Sequence, residues 1–253
     1  MQTQAYITVK DVSKVYPRLK GNRRVDVLEN INLTVHKGEF LILLGPSGCG
    51  KSTFLRILAQ LDTKTSGTIE YGEGYDQEKV SFVFQNFGVL PWLTVAKNVE
   101  LALIGRGVEE KERLTRVNEI LEELELTAFK DRHPHELSGG MRQRVGLARA
   151  FVTHPEVIFL DEPFSELDFF TARSLRDVLC RIWEKYGTTI VMVSHYIDEA
   201  VLLSDRIAVF SERPSSIIKV FENILERPRN HRSDAFYAIE DEVLATFEKG
   251  RKE

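Results

Sequence analysis

Only two cysteines occur in 253 residues, Cys49 and Cys180. They are too few for a disulfide framework, and a reducing compartment fits such a chain. No apolar run approaches the roughly 18 residues that span a bilayer as a helix. If the protein works at a membrane, it does so through a partner. Positive charge is not in excess: 34 Lys and Arg stand against 38 Asp and Glu, a net charge of −4. That balance argues against general affinity for nucleic acid, which a basic domain normally carries. Residues 1–9 lack a basic start and an apolar core, so no secretory leader is expected. His36, His133, His135, His154 and His231 share no ligand spacing, which disfavours a metal site built on histidine. There is no internal repeat and no low-complexity tract. What remains is ordinary, with 43% hydrophobic and 28% charged residues. The length suits one large domain or two small ones.

Against that plain background stands Gly45-Pro46-Ser47-Gly48-Cys49-Gly50-Lys51-Ser52-Thr53. It fits G-x-x-x-x-G-K-[ST], with the apolar run Phe40-Leu41-Ile42-Leu43-Leu44 before it and a helical pattern after it. Glycines let backbone N–H groups turn toward the oxygens of a polyphosphate, and the helix start behind them adds partial positive charge. Lys51 is placed to reach the β- and γ-phosphates of a nucleotide, and Ser52 to offer its hydroxyl to Mg²⁺. Cys49 reads as a small filler in this loop.

Strand-like alternation or β-branched content marks residues 7–16 and 27–35, with the polar loop Lys20-Gly21-Asn22-Arg23-Arg24 between them. Residues 40–44, 80–84, 157–160, 189–193 and 206–210 read as strands, and 217–221 as one more. Helical periodicity covers 50–61, 94–104, 109–124, 138–152, 168–186, 196–203 and 233–248. The pattern predicts an α/β core, residues 1–87 and 146–253, interrupted by a helical insert at 88–145.

The run Val157-Ile158-Phe159-Leu160 ends in Asp161 and Glu162. A strand end of this kind can hold Asp161 near bound Mg²⁺ with Ser52, and place Glu162 to accept a proton from an attacking water. Leu137-Ser138-Gly139-Gly140 supplies a second helix start suited to an anion, because Ser138 is a good cap and the glycines leave N–H groups uncovered. This segment resembles the L-S-G-G signature of the ATP-binding cassette family. Other elements appear in the family's order. Gln85 is similar to the Q-loop glutamine, Ser165-Glu166-Leu167-Asp168 to the D-loop, His195 to the switch histidine and Tyr16 to the aromatic that stacks on adenine. The resemblance covers residues 7–229.

The resemblance implies a P-loop NTPase core of the RecA-like type, with an N-terminal antiparallel β portion and an inserted helical subdomain. It implies an ATPase using ATP and Mg²⁺. Glu162, His195, Gln85 and Lys51 would serve the chemistry, and Ser52, Gln85 and Asp161 would surround the metal. Tyr16, the loop from Gly45 to Thr53, Ser138, Gly139, Gly140 and Asp168 would surround nucleotide. It also implies a head-to-tail dimer whose sites combine one copy's P-loop with the other's signature. Gly139-Gly140-Met141-Arg142-Gln143-Arg144, Asp161-Glu162-Pro163-Phe164, Leu90-Pro91-Trp92 and the stretch from Asp198 to Pro214 are similar to ATPases of nitrate, sulfonate and taurine-type importers.

Such a subunit would sit on the cytoplasmic face of the membrane, held by permease subunits and served indirectly by a periplasmic or lipid-anchored solute-binding protein. A non-transport cassette ATPase and an exporter ATPase remain the alternatives. The apolar residues Phe87, Val89, Leu90, Trp92 and Leu93 read either as core or as a groove for a membrane partner's helix. Two positions depart from the family: Glu166 stands where Ala is usual, and Tyr196 where Asp is usual after the switch histidine.

Overall fold

The computed structural model describes residues 4–17 and 24–250. The polar loop expected at 20–24 lies outside the described residues except for Arg24. The chain divides into two compact units, residues 1–75 with 189–253, and residues 76–188.

The first unit contains two layers of strand. β1 (Ala5–Pro17) pairs antiparallel with β2 (Arg24–His36) on one side and with β4 (Ser66–Tyr71) on the other. β1 is irregular at Asp11, whose φ is 51°, and the ladder shifts register around it. Alternation along β1 buries Ile7, Val9 and Val12, as a one-sided sheet requires. β3 (Phe40–Leu44) is buried at every residue and runs parallel to β7 (Thr189–Ser194) and β8 (Arg206–Phe210). Its unbroken apolar composition is what a strand covered on both faces needs. β9 (Ile217–Glu222) closes that sheet antiparallel to β8. α1 (Lys51–Leu58), α6 (Ile197–Leu203) and α7 (Asp234–Lys249) complete the unit.

Two local outcomes differ from the sequence expectation. α1 stops at Leu58, short of residue 61, because Gln60 takes a left-handed conformation (φ 59°). β4 has no counterpart in the sequence pattern. Its first residues, Ser66 and Gly67, carry no apolar signal. At Gly67 (φ +83°) an added Cβ would lie 2.3 Å from the Asp11 carbonyl oxygen. That strand exists because β1 offers an edge.

The second unit pairs β5 (Val80–Val83) parallel with β6 (Val157–Asp161) and carries four helices. These are α2 (Val95–Ile104), α3 (Glu110–Glu123), α4 (Gly139–Phe151) and α5 (Phe169–Tyr186). α2 packs against α3 and α4. Its buried stripe is Val95, Val99 and Leu103, all fully buried. Burying each such side chain is worth about 1.5–3 kcal/mol. Thr94 and Asp168 cap α2 and α5 through their side-chain oxygens, and Gly187 (φ 62°) ends α5 in the left-handed conformation.

Candidate active site

In the first unit the chain leaves β3 at Leu44 and turns through Gly45 to Gly50 into α1. Two glycines here are set by space. A Cβ on Gly45 would lie 2.9 Å from Phe210 Cβ, and one on Gly50 would lie 2.8 Å from Val27 Cγ1. Gly50 also has φ +124°, closed to ordinary side chains. The loop therefore needs glycine before any ligand is considered. Cys49 is buried, as a filler should be.

The first turn of α1 contains no acidic residue. Its N–H groups and dipole are thus not neutralised by a carboxylate of that turn. Lys51 is 3% exposed, and its ammonium donates to the carbonyls of Gly45 at 2.7 Å and Pro46 at 2.8 Å. The one full positive charge in the loop is therefore held over the loop's own backbone. Ser52 and Thr53 follow on the first turn, half-buried.

Tyr16 lies beside this helix. Its hydroxyl donates to Asp62, and the Lys14 ammonium sits 4.5 Å from its ring centroid. Burial pushes its phenol up, with Asp62 adding to the effect. Asp62 also accepts from Lys14 at 2.6 Å. Burial acts against the Asp62 carboxylate, but Lys14, Tyr16 and the Thr63 N–H hold it below its ordinary range. Lys14 and Asp62 thus orient Tyr16. Nothing in their local sequence signalled that role, since one sits on β1 and the other beyond α1.

His195 follows β7, with its ring centroid 4.0 Å from that of Tyr196. Tyr196 precedes α6 but supplies no side-chain cap. Ser194 instead ties the residue before the helix to its first turn. Its hydroxyl accepts from the Tyr196 N–H at 3.0 Å and donates to buried Glu199 at 2.7 Å. The start of α6 is thus held through Ser194 and Glu199, with no contribution from the Tyr196 side chain as a cap.

The second unit holds the remaining candidates. β6 delivers Asp161, 4% exposed, at its end. Glu162 follows in a left-handed conformation (φ 50°), a strained state for this residue type that re-aims the chain as it leaves the strand. Ser165 donates to the Glu162 carbonyl at 3.1 Å, and Gln85 donates to the Ser165 hydroxyl at 3.4 Å. Gln85 and the Glu162 turn are thus linked through one serine.

Ser138 caps α4 by accepting from the Met141 N–H at 3.3 Å. Gly139 has room for a side chain, the nearest atom to an added Cβ being an Arg142 nitrogen at 3.9 Å. A Cβ on Gly140, by contrast, would lie 2.2 Å from Thr171 Cγ2. The start of α4 therefore lies against the start of α5. The Asp168 carboxylate there accepts from the N–H groups of Phe170 and Thr171 and from the Thr171 hydroxyl at 2.6 Å. The Thr171 hydroxyl and N–H hold its pKa down. Arg142 donates to the Leu137 carbonyl, and Arg144 is tied to Glu125, Ser174 and the Leu124 carbonyl. The apolar cluster after Gln85 divides: Phe87 is 5% exposed and Trp92 is 70% exposed.

Among the described residues no group of three or more His, Cys, Asp or Glu side chains could hold a metal. Taken each by itself, Ser52 of the first unit offers a hydroxyl and Asp161 of the second a carboxylate. These hard oxygens fit Mg²⁺, an ion that commonly takes one or two protein ligands and fills its shell with phosphate and water. No helix among the described residues is long and apolar enough to cross a membrane.

A family model described as ABC transporter matches residues 28–165. The chain is 44% identical over 249 residues to the aliphatic sulfonates import ATP-binding protein SsuB of Bacillus thuringiensis subsp. konkukian, covering 96% of each. It is 37% identical over 262 residues to the nitrate import ATP-binding protein NrtD of Synechocystis, covering 98% of this chain and 96% of that one. Among solved structures it resembles a dimeric post-hydrolysis state of the ATP-binding cassette MJ0796 bound to ADP and Pi. The TM-score is 0.74 at 33% identity, covering 87% of this chain and all of that one.

Proposed function

The chain belongs to the ABC transporter family, and on that premise we propose that it is the ATP-hydrolysing subunit of an importer for small oxyanionic solutes, sulfonates or nitrate. One observation carries the reading of the site. A single chain presents two glycine-opened helix starts, α1 behind Gly45–Thr53 and α4 behind Ser138–Gly140, in different units. Two anion-receiving helix starts in one chain suit two different nucleotides, shared head to tail between two copies.

In this reading the first-turn N–H groups of α1 and the Lys51 ammonium hold the β- and γ-phosphates, and Tyr16 carries the adenine. Ser52, Asp161 and Gln85 would hold Mg²⁺, which offsets charge on the phosphates when bound. Glu162 takes the proton of the attacking water, and His195 steadies that water and the γ-phosphate. Asp168 borders the seam as the cap of α5. Residues 88–145 form the helical subdomain of a single ATPase domain whose α/β core is 1–87 and 146–253. The partners are a second copy of the chain and permease subunits, which would place it on the cytoplasmic face of the membrane, with a solute-binding protein acting indirectly. Trp92, exposed just beyond Gln85, suits contact with the permease.

Cells lacking this chain should fail to take up labelled sulfonate or nitrate. The parent chain should restore uptake, and Lys51→Ala, which removes the loop's ammonium, should not. Uptake of both solutes that is unaffected by loss of the chain, or full rescue by a folded Lys51→Ala protein, would overturn the reading.

A further inference from the structure

Gln85 opens the turn at residues 85–88, which lies between β5 and α2. Phe87 N–H bonds the Phe84 carbonyl at 2.8 Å and Gly88 N–H bonds the Asn86 carbonyl at 2.7 Å. Two consecutive residues of this turn, Phe87 (φ 56°) and Gly88 (φ 52°), are left-handed. For a bulky residue such as phenylalanine that conformation is costly and persists only where surroundings impose it.

The surroundings come from α4. Arg149 donates through its two terminal nitrogens to the carbonyls of those same two residues, Gly88 at 2.9 Å and Phe87. Burial holds the Arg149 guanidinium below its usual pKa. One helical turn earlier, Gly146 makes room for the Phe87 ring. A Cβ there would lie 2.6 Å from Phe87 Cδ1 and 2.8 Å from Phe87 Cβ. Residues three apart share a helix face, so Gly146 and Arg149 meet the turn together. The following stretch is pinned separately by Asn98 of α2, fully buried. Its amide bonds the Leu90 N–H and the carbonyls of Leu90, Leu93 and Thr94.

We propose that Arg149 and Gly146 are positioning residues that fasten the Gln85 turn to the helix beginning at Ser138–Gly140, so that the two move as one body. The guanidinium fork spans two adjacent carbonyls, a task a single ammonium performs poorly. The glycine admits the ring that fills the turn. Any displacement imposed on the turn, including one delivered through Trp92, is then carried along the 13-residue α4 to its start. The inference rests on the reading of Gln85 and Ser138–Gly140 as parts of an ATP site.

The test uses the full chain. Arg149→Lys and Gly146→Ala should leave ATP affinity, measured by calorimetry, within about twofold of the parent. They should lower kcat by about tenfold or more, since a ~1 Å misplacement can cost on the order of 10²-fold. Hydrogen exchange at amides 86–88 should accelerate by about tenfold or more in Arg149→Lys while the rest of α4 keeps the parent rate. Phe87→Gly leaves α4 whole and suits the left-handed backbone. It should lower kcat in the same way, and it carries the test if a helix variant does not fold. Parent-like kcat and exchange in the folded variants would overturn the inference. Lys51→Ala run alongside separates the two readings: a Lys51→Ala chain with full hydrolysis sinks the ATP-site reading itself, whereas its loss beside parent-like Arg149→Lys sinks only the clamp.

Discussion

Replacing Gly140 by alanine adds one methyl group where the start of α4 crosses the start of α5. That methyl would lie 2.2 Å from Thr171 Cγ2 and 3.7 Å from Leu167 Cδ2. The first distance is far inside van der Waals contact, so one side must shift. Thr171 cannot rotate freely, because its hydroxyl bonds Asp168 at 2.6 Å and its N–H bonds the same carboxylate. Moving it would also loosen the cap of α5, worth about 1 kcal/mol. Overpacking of this kind costs typically about 1–3 kcal/mol, so Gly140→Ala should lower stability by about 2–4 kcal/mol. Thr171→Ser deletes the offending methyl and keeps the hydroxyl. Alone it should cost under about 1 kcal/mol, the worth of one buried methyl. In the double variant the two changes fit together, and a coupling of more than about 1 kcal/mol is expected from urea denaturation of all four proteins. Additive effects, within about 0.5 kcal/mol, would refute the packing argument. Hydrolysis adds a second reading. If stability returns in the double variant but turnover does not, Gly140 acts on nucleotide as well as on α5.

Two further outcomes follow from single residues. Glu162→Gln should retain ATP affinity and lose hydrolysis by roughly 10²–10⁴-fold, the usual worth of a general base, and near-parent turnover in that variant would remove Glu162 from the role. Glu39 sits buried just before β3, where burial pushes its carboxyl up to about 7 from 4.5 although the His36 N–H and Arg206 act in the other direction. The native state therefore holds that proton more tightly than the unfolded chain does. The resulting stability is complete below pH 4.5 and lost as pH rises to about 7. Denaturation at about pH 5 and about pH 8 should show the parent losing up to on the order of 3 kcal/mol relative to Glu39→Gln across that window, and an identical pH dependence in the two would contradict it.

Much of the local geometry around the candidate residues was legible because its parts are contiguous. A P-loop is contiguous, and glycine, lysine and a hydroxyl residue at fixed spacing follow directly from the geometry of a strand turning into a helix. The same holds for Ser138 as a cap and for Asp161 at the end of an apolar run. β3 announced itself by being apolar at every position. β4 gave no such signal. Periodicity alone carries α1 past Leu58 to residue 61, because the left-handed Gln60 leaves no mark on it.

The amino-acid sequence alone thus determined which residues are proposed to meet phosphate, metal and water, since that proposal rests on residue type and short spacing. Only the tertiary structure decided which residues hold them in place. Lys14 and Asp62 orient Tyr16 from 2 and 46 positions away. Ser194 links the Tyr196 N–H to Glu199 of α6. Gly146 and Arg149 impose a left-handed turn on Phe87 and Gly88, 59 and 61 positions away. Such pairs depend on where backbones cross. The crossing is set by the burial of whole faces of strand and helix, and no short stretch of sequence records it.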